Sequence, residues 1–270
     1  MQACDLDARF DFAAILVKEA GGLAHSYFLR LETLTVKNKG PQDVVSEADL
    51  NVEILIKDRL KSRFPEDGFL GEETGRSEVE NEGGIWVVDP IDGTQPFISG
   101  MSAWCVSIAF VLNGIVEMGF VYAPVREELF VGRRNAGATL NGHPITVSKA
   151  ASFADGILGI GYSSRSAPAT FLEMFGRVLH AGGTFYREGS GALTLCYVAC
   201  GRLIGYVEQH INSWDCLGAV AVVEAANGRV SNFMANEGLW QGNPLAAGPP
   251  DLYPLLAELL GQSSSIPEVG

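Results

Sequence analysis

A short apolar run, Ile85-Trp86-Val87-Val88, leads straight into Asp89-Pro90-Ile91-Asp92-Gly93-Thr94, and this segment constrains the 270-residue chain more than any other. Bounded by Gly83-Gly84, the apolar run reads as a buried strand that delivers Asp89 at its end. Proline fixes its own φ and biases Asp89 toward extended conformations, while Asp92-Gly93-Thr94 reads as a turn into a helix. Two carboxylates and the Ile91 carbonyl can then converge on one point. Hard oxygens with no His or Cys nearby suit Mg2+ rather than Zn2+. Without a cation, such carboxylates repel one another or hold protons.

The surrounding pattern is mixed. A helical apolar repeat over residues 9–30 (Phe10, Ala13, Ile15, Leu16, Ala20, Leu23) is expected to end at Gly21-Gly22 or soon after. Ser46 with Asp49 three residues on predicts a capped helix carrying Val52, Leu55, Ile56 and Leu60, stopped by Pro65. From Trp104 to Val131, short strands with an Asn113-Gly114 turn predict an antiparallel meander. The second half alternates: strand 156–160, helix 170–180, helix 192–200, strand 203–207, helix 215–226. Strands and helices in both halves, divided near residue 150, predict a layered α/β/α/β/α sandwich. Ser263-Ser264-Ser265 onward reads as a frayed tail.

Composition narrows the function classes. With 47% hydrophobic residues there is ample material for a core. No stretch reaches the roughly 18 apolar residues a membrane span needs, and the acidic start lacks a signal peptide's basic region, so a cytoplasmic location and no membrane partner are expected. A formal net charge of −13 argues against a nucleic-acid partner, which clustered Lys and Arg would hold. An anionic substrate needs a local reversal of that field, which a bound divalent cation supplies. The five cysteines are scattered without a CxxC pair; Cys196 and Cys200 read as core residues on one helix face.

Acids recur at other segment ends: Asp49, Gly71-Glu72-Glu73-Thr74-Gly75, and Trp214-Asp215. One acid in a loop is ordinarily a solvated charge. In this order and spacing, with Trp86-Val87-Val88 running into Asp89 through Thr94, the motifs together resemble the inositol monophosphatase family of lithium-sensitive, metal-dependent phosphatases. The resemblance spans roughly residues 10–260. It implies the sandwich of the inositol monophosphatase and fructose-1,6-bisphosphatase type, two or three Mg2+ ions, lithium inhibition, and a homodimer. It makes Glu72, Asp89 and the Ile91 carbonyl ligands of one ion, and Asp89, Asp92 and Asp215 ligands of a second, with Glu72 near a third. Asp49 matches the acid that works with the Thr94 hydroxyl to orient the attacking water. Lys39 matches a basic position on a mobile loop, with Lys37 two residues away.

The expected function is Mg2+-dependent hydrolysis of a small phosphate ester, inositol monophosphate first. Two cations about 3.5 to 4 Å apart can clamp the attacking and leaving oxygens. Backbone N–H groups of Gly93 and Thr94 at a helix start suit phosphate. Gly191, opening a helix, and Glu208 are expected near the rest of the substrate. Glu208 is either an exposed strand-end carboxylate or an acceptor for sugar or inositol hydroxyls, and an amine such as that of histidinol phosphate would also find an acid useful there. His210 reads as a surface or supporting residue. Gln95-Pro96-Phe97 in place of the family's Asn-Phe, and Ala225-Ala226-Asn227-Gly228 in place of Ala-Gly-Gly, leave the metal ligands intact and bear on substrate choice. Histidinol-phosphate phosphatase, fructose-1,6-bisphosphatase and 3'-phosphonucleotide phosphatase are the enzymatic alternatives. An interaction protein of the transcription machinery is the non-enzymatic one.

Overall fold

The computed structural model describes residues 5–40, 43–76 and 84–262, with 37–40 and 43–45 described through the backbone alone. The Ser263-Ser265 tail lies outside the described residues. In chain order the elements are α1 (Leu6–Phe28), β1 (Val36–Gly40), β2 (Asp43–Ser46), α2 (Glu47–Arg63), β3 (Gly68–Gly71), β4 (Gly75–Arg76), β5 (Ile85–Asp92), α3 (Thr94–Ile98), β6 (Cys105–Leu112), β7 (Ile115–Ala123), β8 (Glu128–Arg133), β9 (Gly137–Leu140) and β10 (His143–Ile145). The second half continues with β11 (Ile157–Ile160), α4 (Pro168–His180), β12 (Thr184–Tyr186), α5 (Gly191–Ala199), β13 (Gly205–Ile211), α6 (Ser213–Ala225), β14 (Arg229–Val230), α7 (Gly238–Gln241), β15 (Asn243–Gly248) and α8 (Tyr253–Leu259). No helix among the described residues is long and apolar enough to cross a membrane.

Three apolar clusters build five layers. On one face of the eight-stranded sheet β10-β9-β8-β7-β6-β5-β3-β4, Val88, Val106, Ile108 and Phe120 pack against Ala13, Leu16 and Val17 of α1 and Val52 and Ile56 of α2. The alternate residues Val87, Ala109 and Val121 face α5 and α6, whose far side meets Tyr206, Leu245 and Ala247 of the five-stranded sheet β12-β11-β13-β15-β14. The opposite face of that second sheet, with Leu158, Val207 and Ala246, is covered by Met174 and Val178 of α4 and Leu256 and Leu259 of α8. The order α/β/α/β/α is the expected sandwich. Both faces of each sheet are therefore apolar, which is why strands such as β5 and β6 read as continuous buried runs rather than alternating ones.

The meander β6-β7-β8 is antiparallel as expected. Three local expectations need correction. Helix α1 does not stop at Gly21-Gly22 but runs through to Phe28. A Cβ at Gly21 would meet the Tyr122 ring at 2.4 Å, so this glycine marks a close approach of helix to sheet. Strand β5 does not end at Asp89 but carries the motif through Asp92, with a bulge against β6: Asp89 pairs Ser107 and Asp92 pairs Cys105. The strand expected at 203–207 instead spans Gly205–Ile211, so Glu208 is an interior strand position.

Helix α6 lies unusually close to the first sheet. A Cβ at Gly119 would sit 2.0 Å from the Gly218 carbonyl oxygen, and one at Gly132 2.5 Å from the Val222 Cα. Glycine at these strand positions removes the side chain that would push the helix away. Gly119→Ala is therefore expected to cost about 1–3 kcal/mol, the range for overpacking. Urea unfolding should give a lower midpoint with an unchanged slope; a wild-type midpoint would contradict this packing.

Candidate metal centre

The bulge in β5 explains how one strand can aim two acids at one place. Residues three apart on a regular strand face opposite sides. The single extra residue restores the phase, so Val87, Asp89 and Asp92 share the α5/α6 side while Val88 and Ile91 pack toward α1 and α2. Pro90 has no N–H to lose, which suits it to the bulge. Beside β5, the parallel strand β3 ends at Gly71 and hands the chain to Glu72, whose N–H donates to the Val88 carbonyl at 3.3 Å.

Glu72, Asp89 and Asp215 converge: one carboxylate oxygen from each lies within 4.8 Å of the other two. Asp89 is buried, and Glu72 and Asp215 are partly exposed. Asp215 reaches the site from the first turn of α6, where its Oδ2 accepts from the Asn212 N–H at 3.2 Å and Nδ2 at 2.8 Å. Arg165 Nη1 in turn donates to Asn212 Oδ1 at 2.9 Å. Asp49 is held in the same way at the start of α2, with its Oδ2 accepting from the Ser46 N–H (2.9 Å) and Oγ (2.5 Å). Each aspartate is thus the third residue of its helix, closing a capping box, and also part of the site.

Asp92 has its own environment. Its Oδ2 accepts from Ser190 Oγ at 2.5 Å and the Ala192 N–H at 2.7 Å, and its Oδ1 from the Gly191 N–H at 3.3 Å. It therefore sits against the start of α5, where unpaired N–H groups favour a negative charge. Thr94 Oγ1 lies 3.2 Å from both Asp49 Oδ1 and the Ile91 carbonyl. Gly93 has φ 99°, and a Cβ there would meet the Ala103 carbonyl at 2.6 Å, so only glycine fits the turn between Asp92 and Thr94. Glu208 is buried, not exposed; Tyr206 Oη donates to its Oε2 at 2.5 Å. His210 makes its contact with the Gln241 carbonyl, 3.0 Å from Nε2. Lys39 and Lys37 lie on β1, where side chains fall outside the described residues.

The electrostatics fit a cation. Burial, then the charges of Glu72, Asp92 and Asp215, push Asp89 well above the carboxylate range. Burial and then Asp215 raise Asp92 to about 7. Asp215 is raised by burial, against the lowering bonds from Asp89 and then Asn212 and the charge of Arg165. Burial also raises Asp49 and takes Glu208 to about 8. At this spacing each pair of charges repels by roughly 3 to 4 kcal/mol at an effective dielectric of about 20. Putting a proton on an ordinary aspartate at pH 7 costs about 4 kcal/mol, so two such neighbours outweigh it. All-oxygen donors of this kind fit a hard divalent cation.

Asp49, Thr94, Glu72, Asp89, Asp92 and Asp215 all carry sequence signals, as does Ser46 behind Asp49; Asn212 and Arg165 behind Asp215, and Ser190 behind Asp92, are not among the expected site residues. Asn212 was legible as Asn-x-x-Asp, the same cap pattern as Ser46 with Asp49. Ser190, one residue before a helix, was legible as its N-cap. Arg165 carries no signal of its own.

Residues 5–265 match the sequence model of the inositol monophosphatase family, and the chain belongs to that family. Nus factor SuhB of Escherichia coli K12 is 32% identical over 257 residues, covering 94% of this chain and 96% of that protein. The inositol monophosphatase of Anabaena superposes with a TM-score of 0.81 at 29% identity, covering 96% and 97% of the two chains. Inositol monophosphatase II of Staphylococcus aureus with inositol monophosphate bound gives a TM-score of 0.78 at 26% identity, covering 93% and 92%.

Because Asp92 and Glu208 titrate higher in the folded chain than in the unfolded one, the folded state binds more protons between the ordinary carboxyl range and about pH 7 to 8. Their contribution to stability is full below about pH 4 and is lost as pH rises through that window. Thermal unfolding in EDTA should show a Tm that falls from about pH 5 to 8. Saturating Mg2+ should flatten the fall, and parallel curves with and without Mg2+ would contradict the cation reading.

Proposed function

We propose that the protein is a Mg2+-dependent phosphomonoesterase acting on a small polyol or sugar phosphate, with inositol monophosphate as the leading substrate. The observation that carries this reading is the convergence of Glu72, Asp89 and Asp215 beside the Asp49–Thr94 pair. Glu72, Asp89 and the Ile91 carbonyl would hold one ion and Asp89, Asp92 and Asp215 a second, with Glu72 available to a third. Bound there, the cations supply charge neutralisation for the phosphate and raise the acidity of water.

The chain's own residues do the rest. A hydroxyl has one proton, so when Thr94 Oγ1 donates to Asp49 it leaves the Ile91 carbonyl to a cation and turns its own lone pairs toward an attacking water. Asp49, raised by burial and fixed by its helix cap, is positioned to receive the water's proton through that contact. Backbone N–H groups of Gly93 and Thr94 would hold the phosphoryl oxygens. Gly191 and Asp92 would meet the hydroxyl side of the substrate, and Lys39 the phosphate side.

Glu208 supports a polyol. Its Oε2 takes the Tyr206 hydroxyl, leaving Oε1 for a substrate hydroxyl, and an acid raised to about 8 by burial suits hydroxyls better than the ammonium group of histidinol phosphate. The Staphylococcus aureus relative with inositol monophosphate bound supports the same substrate. The family resemblance is what favours a homodimer. The name Nus factor on the Escherichia coli relative favours a second reading, an interaction protein of the transcription machinery.

Asp89→Asn and Asp215→Asn should each lower kcat by at least about 10²-fold with the fold retained. Phosphate release from inositol 1-phosphate, histidinol phosphate, fructose 1,6-bisphosphate and 3'-phosphoadenosine 5'-phosphate should rank inositol 1-phosphate first in kcat/KM. Unchanged turnover in either variant at saturating Mg2+ would remove the assignment, and copurification of RNA polymerase with no phosphatase activity would favour the second reading.

A further inference from the structure

Helix α2 carries a second buried acid that the proposed mechanism leaves unused. Glu53 is fully buried, with a relative exposure of 0%. Its Oε2 accepts from the Glu73 N–H at 2.8 Å and its Oε1 from the Thr74 N–H at 2.7 Å. A carboxylate bound by two backbone N–H groups is strongly directional, because both oxygens are committed. The turn it holds begins immediately after Gly71, and a Cβ on Gly71 would lie 2.4 Å from the Glu53 Cδ and 2.5 Å from its Oε2. Gly71 ends strand β3 outside the left-handed region, so the missing side chain is explained by the carboxylate pressed against the backbone. One turn further along the helix, Lys57 Nζ donates to Thr74 Oγ1 at 3.1 Å.

Asp49, Glu53 and Lys57 are spaced four apart and therefore share one ridge of α2, each about 6 Å along the axis from the next. Asp49 reaches Thr94 and Glu53 grips the turn that carries Glu72. The helix thereby fixes the separation of the two groups. We propose that Glu53 is a positioning residue for Glu72: its carboxylate ties the 71–75 turn to α2 so that Glu72 meets Asp89 and Asp215 in register with Asp49. This inference rests on the reading of Glu72 as a metal ligand.

The experiment compares wild type with Glu53→Gln, Glu53→Asp and Val52→Ala. Glutamine has the same shape but places an NH2 group against one of two N–H donors. Aspartate keeps the charge and falls one methylene short. Val52→Ala removes buried apolar volume from the same helix and reports lost stability alone. Mn2+ binding to the EDTA-stripped proteins is measured by calorimetry, Mg2+ half-saturation of phosphate release by titration, and protection of the Glu73 and Thr74 amides by hydrogen exchange.

Glu53→Gln and Glu53→Asp should weaken Mn2+ affinity by about 10- to 100-fold, the usual effect of removing a partner behind a metal ligand. Mg2+ half-saturation should rise in parallel, kcat at saturating Mg2+ should recover most of its wild-type value, and protection at Glu73 and Thr74 should be lost. Val52→Ala should lower the Tm without moving the metal affinity. If Glu53→Gln does not fold, the same comparison with Glu53→Asp decides. Mn2+ affinity within twofold of wild type in a folded Glu53 variant, or a loss matched by Val52→Ala, overturns the proposal. Wild-type protein that binds no Mn2+ overturns the reading beneath it instead, so the two failures are distinguishable.

Discussion

Several carboxylates gathered at one partly buried place repel one another, and much of this structure serves to hold them together despite that repulsion. Glu72, Asp89 and Asp215 come within hydrogen-bonding or ligand-sharing distance of one another, with Asp92 close by. Each is anchored from behind. The β5 bulge aims Asp89 and Asp92 to one side, Asn212 clamps Asp215, and the start of α5 clamps Asp92. These anchors are helix starts and a sheet irregularity, places where backbone N–H groups lack ordinary partners and can take an anion instead.

The two sheets meet in this arrangement. The parallel pair β3 and β5 contributes its carboxyl ends from the first sheet, while α5 and α6 contribute their amino ends from the layer shared with the second. The contact of Asp92 with Ser190, Gly191 and Ala192 links residues about a hundred positions apart. A change in how α6 lies on β7 and β8 would move Asp215 with it. The glycines at 119 and 132 that allow that approach therefore belong to the site's geometry as much as to its core.

Much of this was legible in the order of residues. The apolar run into Asp89, the Glu72 turn and Trp214-Asp215 announce the acids, and the strands and helices of both halves announce the layered fold. The phase of Asp92 relative to Asp89 was not legible, since a bulge is defined by the partner strand's register and not by its own residues. Gly21 looked like a helix stop because its reason for being glycine is Tyr122, about a hundred residues away in sequence. Glu208 fell inside a strand that runs four residues beyond its expected end, which hid its burial. Glu53 carries no signal in the sequence. Its partners are backbone groups, which no side-chain pattern reveals.

If these acids form a divalent-cation site, the ion can be located among them. Anomalous difference maps from crystals grown with Mn2+ in place of Mg2+ should show peaks bounded by Glu72, Asp89 and Asp215, at oxygen distances of about 2.0 to 2.3 Å suited to a hard cation. Crystals soaked with Mn2+ that show no peak among these three carboxylates, while Mn2+ binds elsewhere on the protein, would contradict the account.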